Sequence, residues 1–102
     1  MLIERMTFRA KYGKGDALLE VIRDFSRQFG DLVARPVRLA TDRTGTMFTV
    51  TWDIEYDDTE DWVAGDKKER ALFGTPEFAA WFATMEPLVD SASRDLFETV
   101  EL

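Results

Sequence analysis

The sequence has no cysteine, no histidine and no asparagine. Without cysteine there is no disulfide, no thiolate nucleophile and no thiolate metal site. Without histidine the commonest general base and the commonest metal ligand are both missing. No glycine-rich phosphate loop is present, because Gly13-Lys14-Gly15 is too short to cradle one. Haem, flavin and transition metals are therefore not expected, and the cofactor expectation is none. Positive charge is scarce: 20 Asp and Glu stand against 13 Lys and Arg, for a net charge of −7. The longest basic run, Lys67-Lys68, lies between Asp66 and Glu69, so a nucleic acid is repelled on average. No apolar run approaches the roughly 20 residues of a membrane-spanning helix. Leu2 to Lys11 alternates and lacks the apolar centre of a signal peptide, which makes the cytoplasm the expected location.

What remains is a chain of 102 residues, short enough for one domain over 1–102, with eight Phe and three Trp to build its core. Leu2 to Ala10 alternates as a strand, with Leu2, Met6, Phe8 and Ala10 on one face and Ile3, Arg5, Thr7 and Arg9 on the other. From Ala17 the period becomes helical: Leu18, Val21, Ile22, Phe25, Phe29 and Leu32 share a stripe that ends near Gly30, after a cap at Gly15 or Asp16. Val33 to Arg43 reads as a second strand. Pro36 within it demands an edge or a bulge, because proline donates nothing to a ladder. Thr44-Gly45 predicts a short hairpin turn. In the third strand Phe48, Val50, Trp52, Ile54 and Tyr56 oppose Met47, Thr49, Thr51, Asp53 and Glu55. Asp57 to Glu60 opens a second helix with Trp62 and Val63 as its buried residues, and Gly65 to Arg70 reads as a break or an exposed turn. Thr75 and Pro76 start another helix, with Phe78, Trp81, Phe82 and Met85 as its stripe and Pro87 as its end. Arg94 to Leu102 reads as the last strand.

This order predicts an α+β fold: a ferredoxin-like β-α-β-β-α-β sandwich with an antiparallel sheet ordered 4-1-3-2. Helices cover one sheet face. The other face carries Ile3, Met47 and several threonines with the charged Arg5, Arg9 and Asp53. A second copy is the expected cover, with the tip of the last strand free to reach across to it.

The opening strand Ile3 to Phe8, the hairpin Thr44 to Val50, Trp52 with its acidic strand end, Trp62, and the helix start Thr75 to Phe78 resemble the dimeric α+β barrel superfamily, in particular domains related to antibiotic-biosynthesis monooxygenases. The resemblance implies a homodimer. It also opens several activities. Haem-degrading members use an Asn, a Trp and a His; Trp62 resembles that Trp, but the other two are missing from this chain. Cofactor-independent oxygenases of the superfamily act on aromatic substrates in an apolar cavity, which Trp52, Trp62, Trp81, Tyr12 and Tyr56 could line, although at strand and helix spacing Trp52, Trp62 and Trp81 read first as core residues.

The candidate ligand-binding residues are therefore Arg5, Arg9, Thr49, Thr51, Asp53, Trp52 and Trp62, with Glu4 and Glu98 as weaker candidates. No catalytic residue is assigned. Asp57, Asp58, Glu60 and Asp61 are read as residues of a helix N-terminus, because carboxylates one or two apart on a helix do not converge on a metal. Two functions stay open: a homodimeric small-molecule-binding or interaction module without strong catalysis, or a cofactor-independent monooxygenase or isomerase acting on an aromatic or anionic small molecule.

Overall fold

Alternation along the first and third strands dictates the layering. In the computed structural model, which describes residues 1–30 and 35–102, β1 (Leu2–Ala10) pairs antiparallel with β3 (Thr49–Tyr56) through Met6 opposite Trp52 and Phe8 opposite Val50. β2 (Val37–Thr41) and β4 (Val89–Glu98) are the edges, giving the order β2-β3-β1-β4. Three helices, α1 (Gly15–Phe29), α2 (Thr59–Phe73) and α3 (Pro76–Met85), complete the fold. The expected α+β ferredoxin-like architecture and strand order are observed.

The core lies between the helices and the sheet face carrying Phe8, Val50, Trp52, Ile54 and Tyr56. Phe25 is its hub, with ring centroids 4.9 Å from Trp52, 4.7 Å from Trp81 and 5.0 Å from Phe29. Such tilted and edge-on pairs add to the area that each ring removes from water.

Several boundaries differ from the sequence expectation. α1 begins at Gly15, and Lys14 precedes it with no side-chain cap, so neither Gly15 nor Asp16 caps the helix. Asp16 instead lies in the first turn, where the helix dipole favours its charge. Leu32 and Val33 fall outside the described residues. β2 begins just after Pro36, whose carbonyl accepts from the Glu55 N–H at 3.1 Å; the proline thus sits at a strand entry on an edge. The β2–β3 connection spans 42–48 and not a two-residue turn. Asp42 accepts from the Thr49 N–H at 2.9 Å, and Phe48 takes a positive φ of 60° with its ring edge-on to Tyr12 at 5.1 Å. β4 starts at Val89 and ends at Glu98, displaced toward the N-terminus from the expected Arg94 to Leu102.

Two burial expectations and one helix break also fail. Val63 and Phe82 are 48% and 39% exposed. α2 runs unbroken through Gly65 to Arg70. Among the described residues no helix is long and apolar enough to cross a membrane.

Candidate functional site

The two sheet faces divide the residues singled out from sequence. On the outer face Arg5 lies opposite Asp53 and binds it through two 2.8 Å hydrogen bonds, from Nε to Oδ1 and from Nη2 to Oδ2. That pairing holds the Asp53 carboxyl below its usual range and raises the Arg5 guanidinium. Thr7 pairs with Thr51, and Arg9 with Thr49. Arg5, Arg9, Thr49, Thr51 and Asp53 thus share one face, as expected, and no described element of the chain covers it. Trp52 projects from the opposite face into the core, and Trp62 comes from α2 above that same inner face. The candidates do not form one site.

A cavity of about 260 Å³ opens between the inner face and the helices α2 and α3. Phe8, Trp52 and Ile54 of the sheet line it on one side, and Leu72, Phe78 and Trp81 on the other. Phe73 and Phe82, both about two-fifths exposed, lie where it opens to solvent. None of Arg5, Arg9 or Asp53 is on its wall. The apolar cavity beneath the helices is separate from the outer face that carries Arg5, Arg9 and Asp53.

At one end the wall turns polar, at Tyr56, Arg35 and Glu69. Gly65 makes this end possible: a Cβ there would meet Tyr56 Cε1 at 2.7 Å and Arg35 at 3.4 Å, so only glycine lets α2 approach so closely. Arg35 stacks 4.9 Å over the Tyr56 ring and donates to the Asp61 carboxylate and, at 3.2 Å, to its carbonyl. Asp61 is held below the usual carboxylate range by that guanidinium, and it also accepts from the Asp57 N–H at 2.9 Å. Asp58 caps α2 by accepting from the Asp61 N–H. Asp57, Asp58 and Glu60 are exposed, as a helix start requires.

Behind this end lies a buried carboxylate. Glu4 is 2% exposed. The Trp62 indole N–H donates to its Oε2 at 2.8 Å, while Arg94 Nε approaches its Oε1 to 3.0 Å. The second contact is an ion pair off the direction of a hydrogen bond. Arg94 also donates to Glu69 at 3.2 Å, so one guanidinium serves two carboxylates. Desolvation is the first cause raising the Glu69 carboxyl above its ordinary value, and the charge of Glu4 adds to it. Burial, then Glu4 and Glu69, push the Tyr56 phenol up to about 12. Tyr56 therefore keeps its proton at neutral pH, while Glu69 is the wall group best suited to hold or release one.

Arg35, Glu69 and Arg94 escaped the sequence reading, and Glu4 was underweighted. The signal for Glu4 was available: it is the charge in the phase of β1 otherwise filled by Leu2, Met6, Phe8 and Ala10.

No protein-family model and no curated protein matches the sequence. Solved structures do match its fold. An uncharacterized NIPSNAP domain protein from Burkholderia xenovorans is 22% identical, with a TM-score of 0.80 over 98% of this chain and 95% of that one. A NIPSNAP family protein from Agrobacterium tumefaciens is 14% identical, with a TM-score of 0.82 over 98% and 93%. An antibiotic biosynthesis monooxygenase is 15% identical, with a TM-score of 0.69 over 99% and 100%. At these identities the likeness shows the fold alone: this chain has a ferredoxin-like α+β fold, shared with these NIPSNAP-domain and antibiotic biosynthesis monooxygenase structures.

Proposed function

We propose that this protein is a homodimeric small-molecule-binding module that takes a small, largely apolar or aromatic molecule into the cavity between the inner sheet face and α2–α3. The observation that carries this is the cavity itself: an aromatic wall that opens at Phe73 and Phe82 and ends at Tyr56, Arg35 and Glu69. Its volume of about 260 Å³ lies just under the roughly 300 Å³ at which pockets for drug-sized ligands begin, so the ligand is small. An anionic ligand on the outer face is disfavoured, because Asp53 already saturates one side of the Arg5 guanidinium.

Proton transfer on the bound molecule, as in an isomerase or a cofactor-independent oxygenase, is the second reading. One fact favours it: Glu69 lines the cavity, and desolvation raises its carboxyl above the ordinary value. Binding stands first, because no Cys or His lies beside it, and the neighbouring Tyr56 phenol is pushed up to about 12.

Native mass spectrometry of freshly purified protein tests both parts of the proposal. The expected result is a dimer mass that carries, or takes up on titration, a small aromatic compound. A mass of 11.7 kDa with no uptake overturns it.

A further inference from the structure

We infer that the ligand of this cavity is a small apolar amine, bound as its ammonium ion with the charged head against the Glu69 carboxylate and the apolar body among the aromatic rings. The inference rests on the binding role proposed above and adds the charge and polar group of what is bound.

The direction of Glu69 follows from its helix. Gly65, Glu69, Leu72 and Phe73 of α2 all line the cavity, and spacings of three and four place them on one stripe. Gly65 and Leu72 on that stripe are buried, so it faces the sheet. From the sheet, Arg94 stands opposite Met6 in β1, in the phase of the inner face, and donates to Glu69 Oε1 at 3.2 Å. The carboxylate therefore lies between α2 and the sheet, in the layer that holds the cavity. It is also reachable. The Glu69 side chain keeps 17% of its surface accessible, against 3% for Glu4, and its Oε2 has no partner among the described residues.

Charge decides what Glu69 can receive. Around it Asp61 is paired with Arg35, and Asp66 with Arg70. Arg94 is left to serve both Glu4 and Glu69. The wall residues of α3 are Phe78, Trp81, Phe82 and Met85, which carry no charge, and Tyr56 of β3 keeps its proton. Four carboxylates thus face three guanidiniums, and the negative charge in excess stands beside an apolar space where it is costly. A proton can meet that need, and desolvation raises the Glu69 carboxyl in that direction. An ammonium meets it with the missing charge and a hydrogen bond to Oε2 together. Aromatic faces favour a cation as well, whereas a carboxylate ligand would add to the excess.

Three probes of nearly one shape separate the possibilities: naphthylmethylamine, which is cationic at neutral pH, ethylnaphthalene and naphthoate. Each is titrated calorimetrically into the full-length protein at about pH 5 and at about pH 8. At the higher pH the amine is expected to bind about tenfold or more tighter than the hydrocarbon, as a charge-assisted hydrogen bond warrants, and the naphthoate more weakly than the amine. The amine's advantage should shrink at the lower pH, where it must displace a proton from Glu69 into the buffer. The net charge of −7 attracts any cation loosely, and Glu69→Gln separates that attraction from the site. In Glu69→Gln the advantage should vanish; if that variant does not fold, the wild-type pH dependence decides on its own. Equal binding of amine and hydrocarbon, tighter binding of naphthoate, or an amine advantage that is the same at both pH values or survives in Glu69→Gln overturns this inference and leaves the cavity's binding role standing. Failure of all three probes to bind overturns the binding role itself.

Discussion

Glu69 and Asp61 sit within one polar cluster, yet burial and pairing move their carboxyls in opposite directions. Desolvation raises Glu69, whereas the hydrogen bond from Arg35 lowers Asp61. The consequences for stability are opposite too. For Glu69 the folded value lies above the unfolded one, so its contribution is complete below the ordinary carboxylate value and is lost as pH rises through the folded value. For Asp61 the contribution is present above the ordinary value and is lost as pH falls. Glu69→Gln has no proton to lose. Its unfolding free energy should therefore gain on that of the wild type as pH rises above about 4.5, the region where an ordinary glutamate has already ionised. Urea denaturation of both proteins from about pH 4 to about pH 8 reads the difference. Parallel curves would mean that Glu69 is as well solvated as a surface glutamate. None of this was legible along the chain. Glu69 falls in a polar stretch of α2, and its partners Glu4 and Arg94 come from β1 and β4. Only the sheet register, with Glu4 and Arg94 on one face near one another, brings them together.

At the scale of elements, legibility followed periodicity. β1 and β3 were readable because one face of each is buried and every second residue reports it. β4 was misplaced because nearly all of Val89–Glu98 is exposed, so no alternation marks it. α3 was readable from its cap: the Thr75 hydroxyl accepts from the Phe78 N–H and Pro76 opens the first turn. α2 was read as broken because Gly65 lowers helix propensity by about 1 kcal/mol, and that weighs heavily in a polar segment. Here the glycine serves contact and not flexibility. Gly65→Ala separates the two roles. Propensity alone would stabilise the helix, but the added methyl stands 2.7 Å from the Tyr56 ring. We expect a net loss of about 1–3 kcal/mol in chemical denaturation, as for other overpacked cores. A gain would show that α2 can shift away from the sheet at little cost. The cavity under the helices was not legible for a related reason. The outer face shows its polar residues plainly in sequence, whereas a space held open by aromatic side chains under α2 and α3 has no linear pattern.

The molecule as a whole is a slab of 39 × 37 × 19 Å, one layer of helices on one layer of sheet. Its outer face presents Arg5, Arg9 and Arg38 against Asp53, Glu55 and Asp95, with Ile3, Phe97 and a band of Thr and Ser between them. Three arginines against three carboxylates make a neutral patch on a chain of net charge −7. Two such chains repel on average, so a second copy can approach most favourably through the surface that carries none of the excess. A two-fold axis would set that surface against itself and exclude water from both apolar flanks. The Arg5–Asp53 pair then becomes diagnostic. On an open face, with Arg5 about half exposed, Arg5→Met should cost no more than about 1 kcal/mol, the worth of a surface ion pair. Between two sheets the same change leaves Asp53 unpaired away from water, at about 3–5 kcal/mol, and the loss appears as dissociation. Sedimentation equilibrium at low micromolar concentration measures it. The wild type should sediment near twice 11.7 kDa, as an interface of at least about 1,600 Å² requires, and Arg5→Met should shift the population toward one chain. A wild type that sediments as a single chain would remove the dimer while leaving the cavity under the helices intact, because every residue on that wall belongs to one copy.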